Sequence, residues 1–290
     1  MSRVSGWVKA LIVVLIGLAL AWNTLAVIVT EHLWYADLGY LGVFWKRAEA
    51  RVIVCVAAFA VTFAFVAINL LATKAASRLV STRAAFIIAA ASGLAVAAAS
   101  YGSWMEFQQF IHATSFGRPD SIFGRDISFY VFRLPIIRQI YTGSRWVVGL
   151  TAASVILIYL VSGALVRFGR EEADLGAPSG AAFGRRKRGR IVLEPIDARA
   201  KLHVCVLFGA GLCIVALGFA LSMWGLVYST RGVVLGASYA DVHGTLPGLR
   251  LLIWLMLASA VFIVGTGLRA ASTRTWVVVC ITAVVLLGVS

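Results

Sequence analysis

The sequence is poor in acidic residues and in charge overall. Its 290 residues include 12 Asp and Glu against 26 Lys and Arg, and only 13% are charged while 61% are hydrophobic. A water-soluble globule could not cover that much apolar surface, so the bilayer must be the solvent for most of the chain. The formal net charge of +14 does not indicate nucleic acid, because the basic residues lie in loops between apolar runs and lack the interleaved aromatics of a stacking platform.

The sequence also lacks the motifs of common enzyme and metal sites. It contains no HExxH, GxSxG, P-loop or CxxC pattern. All four cysteines lie inside apolar runs, where a free thiol behaves as a small hydrophobic group and not as part of a disulfide framework. We therefore predict no catalytic residue, no metal ligand and no cofactor.

Ionisable side chains are missing from the centres of the apolar runs. Asn23 and Asn69 are the strongest polar groups there. Ion-coupled pumps and transporters usually place an ionisable side chain at that depth to carry or bind charge, so this absence argues against a transporter. We expect the two asparagines to form hydrogen bonds between helices.

Seven apolar runs predict an all-α polytopic transmembrane bundle with about seven spans. Their approximate ranges are 10–30, 52–73, 84–104, 146–166, 202–226, 250–268 and 275–290. The third run is rich in alanine and other small residues, which favours close packing at the centre of the bundle. The last run has 16 residues and stops while still apolar, which suggests that the chain is the front part of a longer protein. A cleaved signal ending near Ala21 is an alternative for the first run.

The distribution of basic residues predicts the orientation. Two sets of loops alternate along the chain and differ in their density of Lys and Arg. The segments 1–9, 74–83, 167–201 and 269–274 are about twice as rich in these residues as the other loops. The first group is expected to be cytoplasmic, so the N-terminus lies inside and the C-terminus outside. The loops 31–51, 105–145 and 227–249 then face outward.

The most informative outer stretch is the segment from Phe116 to Tyr141, called here the elbow segment. Asp126 stands where an N-cap belongs, before an apolar run, and Pro135 disfavours one uninterrupted helix. We predict two short amphipathic helices that lie on the membrane surface on either side of a bend.

Polar residues of the outer loops form a candidate cluster. They are Arg125, Asp126, Arg231, Asp241 and His243. A carboxylate two residues from a histidine could orient the imidazole, bind a metal with help from His112, or contact a polar headgroup, but no spacing completes such a site. Salt bridges and helix caps that hold the two loops together are the alternative interpretation.

Several separated stretches, in the same order along nearly the whole chain, resemble a known family. They are LGY with VFW at 38–45, DSIFGRDISFYVF at 120–132, YSTRG at 228–232 and GASYADVH at 236–243. The chain resembles an uncharacterised protein family of large bacterial multi-pass membrane proteins, number 0182 in its series. The resemblance implies seven spans followed by a large extracytoplasmic region, and it transfers no catalytic residue, cofactor or substrate.

These observations predict a membrane-anchoring and scaffolding module for an extracytoplasmic domain of the bacterial cell envelope. Expected partners are membrane lipids and other envelope proteins. A transporter or channel is one alternative, and it requires a polar path lined by Ser92, Ser100, Thr151 and Ser154. An envelope-processing enzyme is the other, and it requires Asp126, Asp241 and His243 to converge in one outer cleft.

Overall fold

Six long helices and one short helix make up most of the part of the chain that the structure describes. The computed structural model describes residues 6–165, 168–171, 190–193, 197–230 and 235–269, together with 278, 281, 282, 284 and 285. The helices are α1 (Gly6–Asp37), α2 (Leu41–Ala72), α3 (Thr82–Ser100), the short α4 (Trp104–Ile111), α5 (Leu134–Val161), α6 (Ala198–Gly225) and α7 (Leu246–Leu268). The all-α class is confirmed.

Five helices of the described residues are long and apolar enough to cross a membrane. With their flanking turns they are Leu41–Ala75, Thr82–Ile111, Phe129–Val161, Ala198–Tyr228 and Asp241–Leu268. The described residues thus support about five spans and not the seven predicted. The first predicted span lies within α1, which is not among the five, and most of the last predicted span, 275–290, lies outside the described residues.

The centre of the bundle is α6, and the prediction that the alanine-rich third span occupies this place is wrong. Half of the most apolar stretch of α6 is buried. Small residues let α7 approach it closely, because a Cβ at Gly267 would lie 2.9 Å from Cys205 Cβ and one at Gly209 would lie 2.9 Å from Val264 Cγ2. α3 buries only one face, which includes Ala85 and Ala89, against α2. It therefore lies at the periphery of the bundle.

The predicted bend at Pro135 is also wrong. The helical backbone begins at Ile127 and continues to Val161, so the elbow segment is a loop followed by the first turns of a long helix. A π-helical turn, Phe129–Arg133, precedes α5, and the Leu134 N–H donates to the Phe129 carbonyl five residues earlier. The wider turn accommodates a proline ring that would clash with the carbonyl four residues before it in a regular α-helix.

The same device precedes α7. A second π-helical turn, Asp241–Thr245, ends with the Leu246 N–H donating to the Asp241 carbonyl. Leu246 is buried and Pro247 follows it, as Leu134 and Pro135 do in α5. Two of the candidate spans therefore begin with one local motif: a cap, a π-helical turn, a buried leucine and a proline.

The starts of α5 and α7 lie at one end of the bundle, called here the elbow end. Phe129 meets Trp224 edge to face with 5.2 Å between ring centroids, and Tyr130 meets Tyr228 in the same way at 5.8 Å. These contacts join the elbow segment to the end of α6 and to the turn Leu226–Tyr228 that leads towards α7.

Between α5 and α6 the chain forms a small antiparallel sheet. Strand β1 (Phe168–Glu171) pairs with β2 (Arg190–Leu193), with Phe168 opposite Leu193 and Glu171 opposite Arg190. The predicted cytoplasmic loop 167–201 thus contains a short antiparallel β-sheet of two strands. The greater part of that loop lies outside the described residues.

Candidate functional site

Asp120 organises the loop of the elbow segment. Its Oδ1 accepts hydrogen bonds from the Ile122 and Phe123 N–H groups, each at 2.8 Å. Its Oδ2 accepts from the Arg125 N–H at 3.0 Å and from the Tyr130 hydroxyl at 2.7 Å. Four donors converge on one carboxylate, so this side chain ties the turn to the start of the following helix.

The hydrogen bonds of Asp120 also set its charge state. Burial alone would raise the pKa of this carboxyl, but the bonds from Phe123, Tyr130, Ile122 and Arg125 together outweigh burial and lower the pKa below its ordinary value of 3.8. Asp120 is therefore ionised at neutral pH and its oxygens are occupied by local donors. This arrangement is that of a structural anchor.

Asp126 caps the helix that leads into α5, as predicted. Its Oδ1 accepts from the Ser128 N–H at 2.8 Å and from the Phe116 N–H at 3.1 Å, and the Ser115 hydroxyl donates to Oδ2 at 2.7 Å. The bond from Ser115, followed by those from Ser128 and Phe116, holds the pKa of Asp126 well below its ordinary value. A carboxylate at a helix N-terminus satisfies otherwise unpaired N–H groups there.

Arg125 stacks between two aromatic rings. Its guanidinium carbon lies 4.4 Å from the centroid of Phe129 and 4.8 Å from that of Trp224. Such cation–π contacts join the loop to both α6 and the start of α5. The neighbouring Asp126 carboxylate accepts hydrogen bonds from Ser115, Phe116 and Ser128, so Arg125 and Asp126 contact different partners.

Asp241 takes part in a reciprocal cap at the start of the second π-turn helix. The Asp241 N–H donates to the Ser238 hydroxyl oxygen at 3.2 Å, while Asp241 Oδ2 accepts from the Ser238 N–H at 3.0 Å and from its hydroxyl at 2.9 Å. This is a capping box with aspartate in the place of the usual glutamate. Asp241 is buried, and its fixed orientation positions the chain for α7.

His243 is exposed and belongs to a local contact. Its ring stacks on Tyr239 with 4.0 Å between centroids, and its Nδ1 lies 3.1 Å from the Tyr239 carbonyl oxygen. Asp126 and His243 thus form hydrogen bonds within their own segments, and the capping box of Asp241 with Ser238 is local as well. Arg231, the fifth member of the candidate cluster, lies outside the described residues, and a joint site made of all five stays a prediction.

Two polar groupings were missed at the level of the sequence. At the elbow end, Glu31 of α1 forms an ion pair with Arg47 of α2, and the Arg51 guanidinium donates to the Tyr101 hydroxyl at 3.1 Å. The guanidinium of Arg51 also lies 5.7 Å from the ring of Trp104. The mixture of charged and aromatic residues in 31–51 was the available signal, although it did not indicate which pairs form.

The second grouping joins three helices at the opposite end. The Asn69 Nδ2 donates to the Phe65 carbonyl at 2.7 Å, so its Oδ1 faces His203 Nε2 at 3.0 Å as an acceptor. Nε2 must then carry the proton, and His203 Nδ1 accepts from the Tyr159 hydroxyl at 2.8 Å. The predicted interhelix role of Asn69 is confirmed, and every polar atom of the chain Asn69–His203–Tyr159 has a consistent donor or acceptor role.

A cavity of about 210 Å³ lies between α2, α3 and α5. Thr62, Ser92, Thr151 and Ser154 contribute hydroxyl groups to its lining, whereas Ser100 does not. The Thr151 and Ser154 hydroxyls donate to carbonyls of their own helix at 2.7 and 2.8 Å. Most of the remaining lining is apolar. Among the described residues, no group of three or more His, Cys, Asp or Glu side chains could hold a metal ion.

Comparisons with known proteins give a family and no biochemical activity. The model of an uncharacterised protein family, UPF0182, matches residues 8–290. A UPF0182 protein of Synechococcus sp. strain JA-3-3Ab is 34% identical over 242 residues, which cover 83% of this chain and 26% of the relative. One of Moorella thermoacetica is 29% identical over 263 residues, with 83% and 26% covered, and one of Thermobifida fusca is 30% identical over 276 residues, with 87% and 24% covered. The chain thus spans about a quarter of the length of these relatives. No solved structure matches it.

Proposed function

This chain belongs to the uncharacterised protein family UPF0182, and we propose that it is a membrane-anchoring and scaffolding module of the bacterial cell envelope. Its elbow end would face outward and hold an extracytoplasmic domain in place. The proposed arrangement has seven spans, with α1 and the run 275–290 added to the five candidate spans, the N-terminus inside and the C-terminus outside. The density of Lys and Arg in alternate loops supports this orientation.

The observation that carries the proposal is that local donors occupy the carboxylates of Asp120 and Asp126 at the elbow end, and that Asp241 takes part in a helix cap there. Asp120 accepts four hydrogen bonds, Asp126 accepts three and Asp241 forms a capping box with Ser238. Groups held in this way stiffen loops, because each bond to a charged acceptor is lost when the loop moves. A catalytic carboxylate needs free reach towards a substrate instead.

The relatives supply a reason for a rigid platform. About three quarters of the length of each of the relatives lies outside the part that matches this chain. A module that fixes the outer loops with carboxylate anchors and aromatic contacts offers a defined surface on which such a region could rest. Membrane lipids and other envelope proteins are the proposed partners.

Photo-crosslinking from the elbow end tests this proposal. A photoreactive amino acid at Tyr239, whose side chain is 79% exposed, is expected to give a discrete protein adduct in intact cells. The matched control is Trp254, which is 71% exposed on α7 but lies 15 residues further along the chain at bilayer depth, and it should react with lipid alone. Lipid adducts only from both positions would contradict the scaffold role.

A transporter or channel is the second candidate, because of the cavity between α2, α3 and α5. Its volume of about 210 Å³ and its Thr62, Ser92, Thr151 and Ser154 lining offer space for a small or lipid-like substrate. Substitution of Ser92 by a large residue such as Trp would fill the cavity. If the cavity is a transport route, this change blocks solute uptake by proteoliposomes that contain the protein, while Ser100→Trp, outside the cavity, does not.

A further inference from the structure

A second cavity opens between α5 and α6 near the elbow end. Its volume is about 340 Å³, within the usual range for small-ligand sites. Arg138, Tyr141 and Thr142 of α5 line one side, and Gly218, Phe219 and Ser222 of α6 lie on the other. Arg138 and Tyr141 belong to the helical end of the elbow segment, and the cavity is distinct from the Asp120 loop of that segment and from the cavity between α2, α3 and α5.

The two glycines of α6 make room for the two long polar side chains of α5. A Cβ at Gly218 would lie 2.5 Å from the Tyr141 hydroxyl oxygen, and a Cβ at Gly225 would lie 3.3 Å from an Arg138 guanidinium nitrogen. Gly218 and Gly225 are seven residues apart and so lie on one face of the helix. The Tyr141 hydroxyl and the Arg138 guanidinium therefore pack directly against the backbone of α6.

Two of the four polar side chains that line this cavity have donors available for a ligand. The Thr142 hydroxyl donates to the Arg138 carbonyl at 2.9 Å and the Ser222 hydroxyl donates to the Gly218 carbonyl at 3.0 Å, so both protons are used within their own helices. Among the residues that the structure describes, the Arg138 guanidinium and the Tyr141 hydroxyl form no hydrogen bond with protein. Both groups donate, and both would suit an oxyanion.

No carboxylate on either helix neutralises this charge. The stretches 127–165 and 198–230 contain no Asp or Glu, whereas α5 carries Arg145 two turns beyond Arg138. The guanidinium of Arg145 lies 5.8 Å from the ring of Tyr141. The positive charge beside the cavity thus lacks a counterion on the two helices that form it.

The depth of the cavity identifies the source of the anion. Gly225, beside Arg138, follows Lys201 by 24 residues, which is about 36 Å along a helix and slightly more than the hydrocarbon thickness of a bilayer. Lys201 stands near the opposite end of the candidate span, so we expect Arg138 at headgroup depth. Below it, Phe219 and Val215 offer an apolar wall for an acyl chain.

We propose that the cavity between α5 and α6 binds an anionic phospholipid, with the phosphate held by Arg138 and Tyr141 and an acyl chain lying against Phe219. An arginine fork and a phenol hydroxyl match the oxygens of a phosphate diester, and the glycines of α6 bring that phosphate close to the helix. The inference does not depend on the scaffold role, because the lipid site would be present whether or not the elbow end holds another domain.

Native mass spectrometry of the purified protein with phosphatidylglycerol tests this site. Arg138→Gln is expected to weaken binding by about fivefold or more, the loss expected for one basic residue at a lipid headgroup. Arg133→Gln is the matched control, since it removes an equal charge from an exposed position of the same helical segment outside the cavity. Equal losses for the two variants would overturn the proposal, because general attraction to anionic lipid would then explain both.

Further binding measurements test the geometry of the site and the identity of its ligand. Gly218→Ala keeps every charge but places a Cβ against the Tyr141 hydroxyl, so it too should weaken phosphatidylglycerol binding, and unchanged binding would contradict the assigned geometry. Phosphatidylcholine with the same chains should bind more weakly than phosphatidylglycerol. Displacement of the lipid by millimolar glycerol phosphate would assign the cavity to a soluble phosphate and would overturn the lipid proposal.

Discussion

Asp120 shows how a single side chain can specify the shape of an exposed loop. Its four donors come from the turn itself and from Tyr130, which is buried at the start of the long helix. A neutral amide of the same size keeps only part of this arrangement. Asn can accept through its oxygen, but its amino group would face the Arg125 N–H, which can only donate, and the Tyr130 hydroxyl would have to change from donor to acceptor.

Asp120→Asn should therefore destabilise the elbow end without abolishing folding. We expect a loss of about 1 to 3 kcal/mol in the free energy of unfolding, the range for a hydrogen-bonding group that loses its partner. Thermal unfolding of the protein in detergent micelles, followed by tryptophan fluorescence, measures this loss. Ser121→Ala, at the exposed neighbouring position, is the control and should leave the midpoint unchanged.

The low pKa values of Asp120 and Asp126 predict acid sensitivity of the same end. Both carboxyls have a folded pKa below the ordinary 3.8, so the unfolded chain binds more protons than the folded one at low pH. Their contribution to stability is complete above about pH 5 and decreases as the pH falls below that value. Unfolding midpoints between pH 3 and pH 7 should show this decrease, and a flat profile for wild type would contradict it.

Asp120→Asn is also the control for that pH profile. The variant lacks one of the two depressed carboxyls, so its stability should change less with pH than that of wild type. Identical slopes for the two proteins would mean that the acid sensitivity comes from other groups. The profile and the unfolding midpoint at neutral pH thus test separate statements about one residue.

At the scale of elements, close helix contacts depend on glycines whose positions composition alone does not reveal. The contact of α6 with α7 uses Gly267, where a Cβ would lie 2.9 Å from Cys205 Cβ and 3.4 Å from Leu202 Cα. Gly265, two residues earlier on the same helix, has open space at the corresponding position. Alanine substitutions at Gly267 and Gly265 therefore distinguish the effect of helix packing on stability from that of helix propensity.

Gly267→Ala and Gly265→Ala should thus have opposite effects. The first should lower stability by roughly 1 to 3 kcal/mol, because its Cβ would lie 2.9 Å from Cys205 Cβ, an atom that rotation of the Cys205 side chain cannot move. The second should be neutral or raise stability by up to about 1 kcal/mol, since alanine favours helix over glycine. Unfolding in mixed detergent gives both values, and similar losses for both variants would show that the contact does not limit the packing of α7.

Individual elements differ in how far the sequence predicted them. The cap at Asp126 was predictable, because a carboxylate before an apolar run has a direct local role. The uninterrupted helix through Pro135 was not, because the π-helical turn that accommodates the ring has no simple sequence signal. The role of Asn69 followed from its polarity in an apolar run, whereas its partners His203 and Tyr159 come from other helices and required the structure.

At the scale of the whole molecule, composition predicted the membrane and the all-α class but not which helix is central. Burial of α6 results from its position between α5 and α7, and of α3 from its contact with α2, so both depend on neighbours. About five candidate spans are present in the described residues. For the candidate site, the sequence indicated the carboxylates of Asp126 and Asp241, whereas the donors that they bind became visible only in the structure.

The central claim is that the elbow end is an outward-facing platform. The direct measurement is labelling of single cysteines with a membrane-impermeant maleimide in intact cells, after replacement of the four native cysteines. Cysteines at Ser121 and Tyr239, both exposed at the elbow end, should react, while one at Ser179, in the predicted cytoplasmic loop, should react only after permeabilisation. If the cysteine at position 179 reacts in intact cells while those at positions 121 and 239 do not, the elbow end faces the cytoplasm. That result would contradict an outward-facing platform.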